Sequence, residues 1–191
     1  LYRNDGEGSF IEVSQRAGVH EPQFGRTACF VDYDHDNDLD IVLGNDTALA
    51  EPPQVDAFVF PNDMPGQANA LLRNNGDGTF TDLTDEAGLL VDFAQTRAVI
   101  YADFDGDDDT DLFAVNADAP SVLFANARLG KFAPGGGGKF MPALDKHAIA
   151  AAEGDLNRDG APDLLVSVDK KLILYLNDGN ANFIGTAIEL P

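Results

Sequence analysis

The chain has 191 residues, 44% of them hydrophobic, and a formal net charge of −21 at pH 7. Such acidity argues against nucleic acid and anionic membranes as partners, and no apolar run is long enough for membrane insertion. The single cysteine, Cys29, excludes a disulfide framework, and its apolar surroundings predict a buried, inert thiol.

An internal repeat begins at the first residue. Residues 1–19 and 71–89 both contain Arg-Asn, then Asn or Asp, then Gly, followed by a Phe and an Ala-Gly pair. Weaker copies start at Leu123 and Tyr175. Asn and Gly between two apolar segments favour a tight turn, so each copy is predicted to form a β-hairpin.

Three acidic segments of nine residues, 32–40, 103–111 and 155–163, lie between these hairpins; we call them loops 1, 2 and 3. Positions 1, 3, 5 and 9 of each loop carry Asp or Asn. Oxygen atoms at alternate positions of a tight turn suit calcium, which takes about six to eight oxygen ligands. The predicted cofactor is therefore calcium, about three ions. The predicted ligands, including position 7 of each loop, are Asp32, Asp34, Asp36, Asp38 and Asp40; Asp103, Asp105, Asp107, Asp109 and Asp111; and Asp155, Asn157, Asp159, Ala161 and Asp163.

An EF-hand would require a Glu at position 12, where this chain has Leu43, Ala114 and Val166. Each loop runs instead into an apolar, β-prone segment, which predicts that it joins two strands. Position 6 is Asn, Asp or Gly in the three loops, which favours a left-handed turn at that position. The alternative interpretation is an acidic, solvated turn without a metal.

The hairpins and loops alternate at a nearly constant distance. The first Asp of the next loop follows Asn4 by 28 residues, and follows both Asn74 and Asn126 by 29 residues. Four short antiparallel strands in a unit of about fifty residues are typical of a β-propeller blade. We therefore predict an all-β fold, a β-propeller of four-stranded antiparallel blades, with about three and a half blades in this segment.

Residues 1–191 are expected to form one partial β-propeller. Residues 1–19 would be the outer half of a blade, and complete blades would follow at 27–89, 96–143 and 147–191. The blade at 27–89 has a proline-containing insertion at about 45–65, predicted either to contact a partner or to pack on its own blade. The glycines at 135–138 predict a flexible connection.

The loops resemble the FG-GAP (VCBS-type) calcium repeats of integrin α-subunit propellers. The segment Leu-Tyr-Arg-Asn…Gly-Ser-Phe…Ala-Gly-Val resembles the repeats of the cartilage acidic protein group. The third hairpin departs from the pattern, because Ala127 and Arg128 stand where a Gly-containing turn is expected. The resemblance implies an extracellular propeller used for adhesion or recognition. Members include adhesive domains and lectins, and some such propellers are carried by enzymes.

No nucleophile–base pair is recognisable, and His20, His35 and His147 have no partner at zinc spacing. Paired acids for glycoside chemistry remain an open alternative, although metal ligation accounts for the clustered ones. We therefore predict no enzyme activity and no catalytic residues.

Two functions remain. The first is a calcium-stabilised extracellular or periplasmic module for protein interaction, adhesion or structure. The second is a carbohydrate-binding propeller, alone or attached to a polysaccharide-acting enzyme, although the chain has no Trp to stack on a sugar. Propellers typically close with about four to eight blades, so the partners are expected to be further blades, a protein or matrix component, or a glycan. Open sheet edges also favour self-assembly into an oligomer or filament.

Overall fold

The computed structural model describes residues 1–19, 25–47, 66–89, 94–128, 130–134 and 147–189. These ranges contain fourteen strands and one short helix. The elements are β1 (Tyr2–Asn4), β2 (Phe10–Glu12), α1 (Ser14–Ala17), β3 (Gly25–Val31), β4 (Asp40–Asn45), β5 (Ala70–Asn74), β6 (Phe80–Asp82), β7 (Thr96–Ala102), β8 (Asp111–Asn116), β9 (Val122–Asn126), β10 (Phe132–Pro134), β11 (Ala148–Gly154), β12 (Asp163–Val168), β13 (Lys171–Asn177) and β14 (Phe183–Glu189).

The strands form one two-stranded hairpin and three four-stranded sheets. Sheet 1 contains β3 to β6, sheet 2 contains β7 to β10, and sheet 3 contains β11 to β14. Neighbours in sequence are neighbours in each sheet, and every pairing is antiparallel. This up-and-down order confirms the predicted fold class: the chain is a partial β-propeller built from four-stranded blades.

The first strands of adjacent sheets contact each other, β3 with β7 and β7 with β11. Small residues on these strands, such as the three alanines at 150–152, leave room for that approach. The apolar pattern predicts first strands at residues 28–31, 99–102 and 149–154, and the observed strands begin earlier, at Gly25, Thr96 and Ala148. Strand β3 starts at Gly25, and its pairing with β4 is irregular between Gly25 and Thr27, so the apolar alternation is interrupted there.

Two hydrophobic cores lie between the sheets. Between sheets 1 and 2, Val42 and Leu71 pack with Leu112 and Phe124. The core between sheets 2 and 3 joins side chains of β8 and β9 to side chains of β12 to β14, including Phe113, Leu123, Leu164, Tyr175 and Phe183. Because sheet 2 has a neighbour on each face, all six residues of β8 are buried.

A tight turn after the fourth strand also contacts the next sheet. In sheet 1 this turn ends at Gly88, where φ is +79° and an added Cβ would lie 2.8 Å from the carbonyl oxygen of Phe132. The N–H of Phe132 donates to the carbonyl of Ala87 at 2.8 Å. The equivalent turn after β2 places Gly18 beside the carbonyl of Phe80. The turn after the N-terminal hairpin therefore contacts sheet 1 as the turn of sheet 1 contacts sheet 2, but all residues of β1 and β2 are exposed.

Most of the predicted insertion at about 45–65 and the glycine connection at 135–138 lie outside the described residues. The blade boundaries proposed from the sequence remain a prediction. Within the described ranges, none of the helical residues forms a segment long and apolar enough to cross a membrane.

Candidate metal centres

Loops 1, 2 and 3 each connect the first and second strands of their sheet, and the ninth loop residue opens the second strand. Position 6 has a positive φ in all three loops, as predicted: 70° at Asn37, 69° at Asp108 and 93° at Gly160. Position 4 also has a positive φ in all three loops, at His35, Gly106 and Arg158. Glycine and, less strongly, histidine favour this conformation but arginine does not, so position 4 carries no shared signal and sequence reasoning missed it. Two left-handed residues in each loop make its turn tight enough to bring alternate side chains together.

Loops 1 and 2 each gather three of the predicted ligands. In loop 1 the oxygens of Asp32, Asp34 and Asp40 lie within 4.8 Å of one another, and in loop 2 the same holds for positions 1, 3 and 9, namely Asp103, Asp105 and Asp111. The position 5 carboxylates lie outside these triplets. Asp36 accepts from the N–H of Asp38 at 2.9 Å, and Asp107 accepts from the N–H of Asp109 at 3.0 Å.

The position 9 carboxylate is buried in every loop and accepts two main-chain N–H groups. One N–H belongs to position 2 of the same loop, and the other belongs to the Asn that ends the third strand of the same sheet. The pairs are Tyr33 and Asn74 on Asp40, Phe104 and Asn126 on Asp111, and Leu156 and Asn177 on Asp163, with donor–acceptor distances of 2.8–3.4 Å. Position 9 therefore fixes both the loop and the hairpin.

The position 9 carboxylates of loops 1 and 2 lie in an environment that opposes their negative charge. Burial raises the pKa of Asp40 and of Asp111 to about 6, even though main-chain N–H donors lower it. Burial, followed by the neighbouring charge of Asp36, also raises the pKa of Asp34. Two carboxylates about 5 Å apart repel by on the order of 3 kcal/mol at an effective dielectric constant of about 20. A cation between them would reverse this penalty.

The donor set fits a hard cation. In loop 1, Oδ1 of Asp32 and Oδ1 of Asp34 are buried and have no hydrogen-bond partner among the described residues. Buried polar atoms in folded proteins are otherwise almost always paired. Carboxylate oxygens at these positions match the ligands of Ca²⁺, and the carboxylate of Asp40 completes the set in loop 1.

Loop 3 differs from loops 1 and 2 in how its predicted ligands are exposed and bonded. Asp155, Asn157 and Asp159 are exposed, whereas Ala161 and Asp163 are buried. The amide of Asn157 donates to a carboxylate oxygen of Asp159 at 2.7 Å, so these two predicted ligands bond to each other. The loop backbone has the same left-handed positions as the other two loops. It therefore resembles them in path but differs in charge and burial.

Loops 1 and 2 are linked by an ion-pair cluster that the sequence did not reveal. Asp109 of loop 2 lies 3.2 Å from Nε2 of His35 in loop 1 and accepts from Nε of Arg128 at 3.1 Å. Arg128 also donates to the carbonyl of Asp107 at 3.2 Å, and its φ is +61°. The third hairpin has Arg128 where a Gly-containing turn is expected, and the guanidinium of Arg128 therefore lies against loop 2.

The remaining reactive side chains form no metal group among the described residues. Cys29 is half-buried rather than fully buried, and burial raises its pKa to about 11, so its thiol is protonated at neutral pH. His147 precedes β11, and its N–H donates to the carbonyl of Ala117 at 2.7 Å. His20 lies outside the described residues.

Comparisons with known proteins agree with this architecture. Cartilage acidic protein 1 from Xenopus tropicalis is 26% identical over 180 residues, covering 87% of this chain and 24% of that protein. The Homo sapiens protein of the same name is 28% identical over 117 residues, covering 61% of this chain and 15% of its own length. The chain thus spans less than a quarter of the curated relatives it matches.

Among solved structures, an Agrocybe aegerita lectin that recognises non-reducing terminal N-acetylglucosamine is similar in fold. The TM-score is 0.53 at 20% sequence identity, over 97% of this chain and 45% of the lectin chain. A family model described as "FG-GAP-like repeat" matches residues 54–114 and 103–166. Since these two matches together cover more than half of the 191 residues, the chain belongs to the FG-GAP-like repeat family.

Proposed function

We propose that this chain is a calcium-stabilised β-propeller module that acts outside the cytosol in protein interaction, adhesion or extracellular structure. The observation that carries the calcium assignment is a pair of buried carboxylate oxygens, on Asp32 and Asp34, that have no hydrogen-bond partner within the described ranges. Both residues belong to the same triplet as Asp40. An acidic turn that works without a metal would have those oxygens hydrogen-bonded or exposed to water.

Calcium would supply positive charge at a point where the two inner strands of a sheet are joined. The predicted ligands at positions 1, 3, 5, 7 and 9 would hold it in each loop. Because position 9 is also bonded to the hairpin Asn, filling the loop would fix the second and third strands of the sheet as well. The proposed role of the ion is therefore structural, and we propose no catalytic role for any residue of this chain.

An extracellular or periplasmic location fits this proposal. Loops built from Asp side chains suit the millimolar calcium found outside the cytosol. The relatives that match most of the chain are named for cartilage, a tissue that consists largely of extracellular matrix.

Loop 3 is expected to bind calcium more weakly than loops 1 and 2. It has Asn157 where the others have Asp, so it has one formal charge fewer among its side-chain ligands, and its first three ligands are exposed. Calorimetric titration of Asp36→Ala, Asp107→Ala and Asp159→Ala checks this order. The Asp159→Ala variant should lose the weakest binding event, and a weakest event lost in Asp36→Ala or Asp107→Ala would contradict it.

A carbohydrate-binding function is the second candidate. A cleft of about 320 Å³ lies between loops 2 and 3 and the last hairpin, lined by Asp103, Gly106, Asp159 and Gly179 among others. Its size is at the lower end of small-molecule sites, which span roughly 300–1,000 Å³. The lectin of similar fold supports this candidate only as an example of a protein with this architecture that binds a sugar.

One binding experiment separates the two candidates. The chain, kept in millimolar calcium, is applied to an array that contains both glycans and purified extracellular matrix proteins. The first candidate predicts calcium-dependent binding to matrix proteins and no discrete set of glycans. Discrete glycan binding that chelator abolishes would support the carbohydrate candidate instead, and matrix-protein binding unaffected by chelator would contradict the proposed role of calcium.

A further inference from the structure

The asparagines that end the third strands of sheets 2 and 3 reach across to the preceding sheet. The side-chain amide of Asn126 donates to the carbonyl of Tyr33, at position 2 of loop 1, at 2.8 Å. The amide of Asn177 donates to the carbonyl of Phe104, at position 2 of loop 2, also at 2.8 Å. Both asparagines are buried, with exposures of 3% and 2%. Loops 1 and 2 are therefore each bonded to the hairpin of the next sheet.

The same asparagines are fixed by their own loops. The N–H of Asn126 donates to Asp111 of loop 2 at 2.8 Å, and the N–H of Asn177 donates to Asp163 of loop 3 at 2.9 Å. Asn126 thus bonds at one end to Asp111, a predicted ligand of loop 2, and at the other end to the carbonyl of Tyr33 in loop 1. Tyr33 lies between two predicted ligands of loop 1, Asp32 and Asp34. Asn177 makes the equivalent connection between loop 3 and loop 2.

We propose that Asn126 and Asn177 are positioning residues that couple calcium binding in neighbouring loops. The inference rests on the proposed function, since it requires that the loops bind calcium. A calcium ion held by Asp111 would fix Asn126, and Asn126 would then hold the Tyr33 carbonyl in place. Loop 1 would need less ordering when its own ion binds, and preorganisation of this kind raises affinity. By linkage, calcium in loop 1 raises the affinity of loop 2 by the same factor.

Asn74 provides an internal comparison. It occupies the same position in sheet 1, and its N–H donates to Asp40 at 2.8 Å. Its side-chain amide donates to the carbonyl of Leu39 in its own sheet at 3.1 Å, and among the described residues it has no bond to another sheet. Substitution of Asn74 therefore removes only bonds within its own sheet and turn, to the carbonyl of Leu39 and from the N–H of Gly76. Substitution of Asn126 removes a bond within its own sheet, to the carbonyl of Thr110 at 3.3 Å, and also the inter-sheet bond to Tyr33.

The test measures the coupling between loops 1 and 2 in a chain whose loop 3 is disabled by Asp159→Ala. Calcium affinity of loop 2 is measured by calorimetry with loop 1 intact and with loop 1 disabled by Asp34→Ala. Disabling loop 1 should weaken calcium binding at loop 2 by about fivefold or more, the lower end of typical coupling between sites. Adding Asn126→Ala should abolish this difference, while adding Asn74→Ala or Asn177→Ala should leave it in place.

A second test measures the coupling between loops 2 and 3. With loop 1 disabled by Asp34→Ala, Asn177→Ala should abolish the coupling between loops 2 and 3, and Asn74→Ala should not. This arm decides the question if Asn126→Ala does not fold. Two results would overturn this inference but leave the proposed function standing. In the first, every loop binds calcium but the parent chain shows no coupling. In the second, the coupling survives the asparagine substitutions. Absence of calcium binding at all three loops overturns the proposed function and the inference together.

Discussion

Removal of calcium is expected to lower the free energy of unfolding by about 5 kcal/mol, the combined effect of loops 1 and 2. A ligand that binds only the folded state stabilises it by about 2.7 kcal/mol at a hundred times its dissociation constant. For a chain of this size, such a loss corresponds to a fall of roughly 10 to 20 °C in Tm. The cause is the return of repulsion among three carboxylates within 4.8 Å in each loop.

Thermal unfolding followed by circular dichroism, in millimolar calcium and in excess chelator, measures this shift. Magnesium at the same concentration is the control, because Mg²⁺ requires a near-octahedral site and holds its waters tightly. Magnesium should restore much less of the Tm than calcium does. A chelator effect below about 2 °C, or full rescue by magnesium, would contradict selective stabilisation by calcium.

The substitution Asp111→Ala is expected to destabilise the fold by about 2 to 6 kcal/mol in calcium. Without calcium the loss should be smaller, because the substitution also relieves the burial of the Asp111 charge and its repulsion by Asp105 and Asp107. Asp111 is fully buried, and its carboxylate accepts the N–H groups of Phe104 at 2.9 Å and Asn126 at 2.8 Å. Alanine leaves both donors buried without an acceptor, and each such group costs about 1–3 kcal/mol. The loss should be larger in calcium, because a predicted ligand of loop 2 is also removed.

Chemical denaturation of the wild type and the variant measures the loss in free energy of unfolding, once with calcium and once without it. Asp85→Ala is the matched control, since Asp85 is an exposed carboxylate in the turn after β6. Its effect should stay within about 0.5 kcal/mol in either condition. An Asp111→Ala variant as stable as Asp85→Ala would show that position 9 does not hold the loop and hairpin together.

Local signals explain how much of the fold could be predicted. The Asn-Gly turns, the apolar segments beside them and the constant distance between hairpin and loop each depend on a few neighbouring residues. They predict four-stranded antiparallel blades, and the residue types at Asn37, Asp108 and Gly160 predict the left-handed position 6. The start of β3 could not be predicted, because the irregular pairing at Gly25 and Thr27 interrupts the alternation on which such a prediction depends.

The contacts between sheets could not be predicted, because they join residues that no local pattern relates. Asn126 and Tyr33 are 93 positions apart. Arg97 and Asp46, which form a largely buried ion pair between sheets 1 and 2, are 51 apart. About half of the His35 side chain on loop 1 is exposed, but its Nε2 lies 3.2 Å from Asp109 of the next loop, a contact that no local pattern indicates. The sequence thus predicts the ligands of each loop but not how one loop is joined to the next.

A crystal structure of the chain grown in millimolar calcium, with an anomalous difference map, is the most direct test of calcium binding by the loops. We expect a cation in loop 1 in contact with Asp32, Asp34 and Asp40, and a second cation in loop 2 in contact with Asp103, Asp105 and Asp111, with lower occupancy in loop 3. Loops 1 and 2 without any cation at millimolar calcium, or cations bound only elsewhere on the acidic surface, would contradict the assignment of the loops as calcium sites.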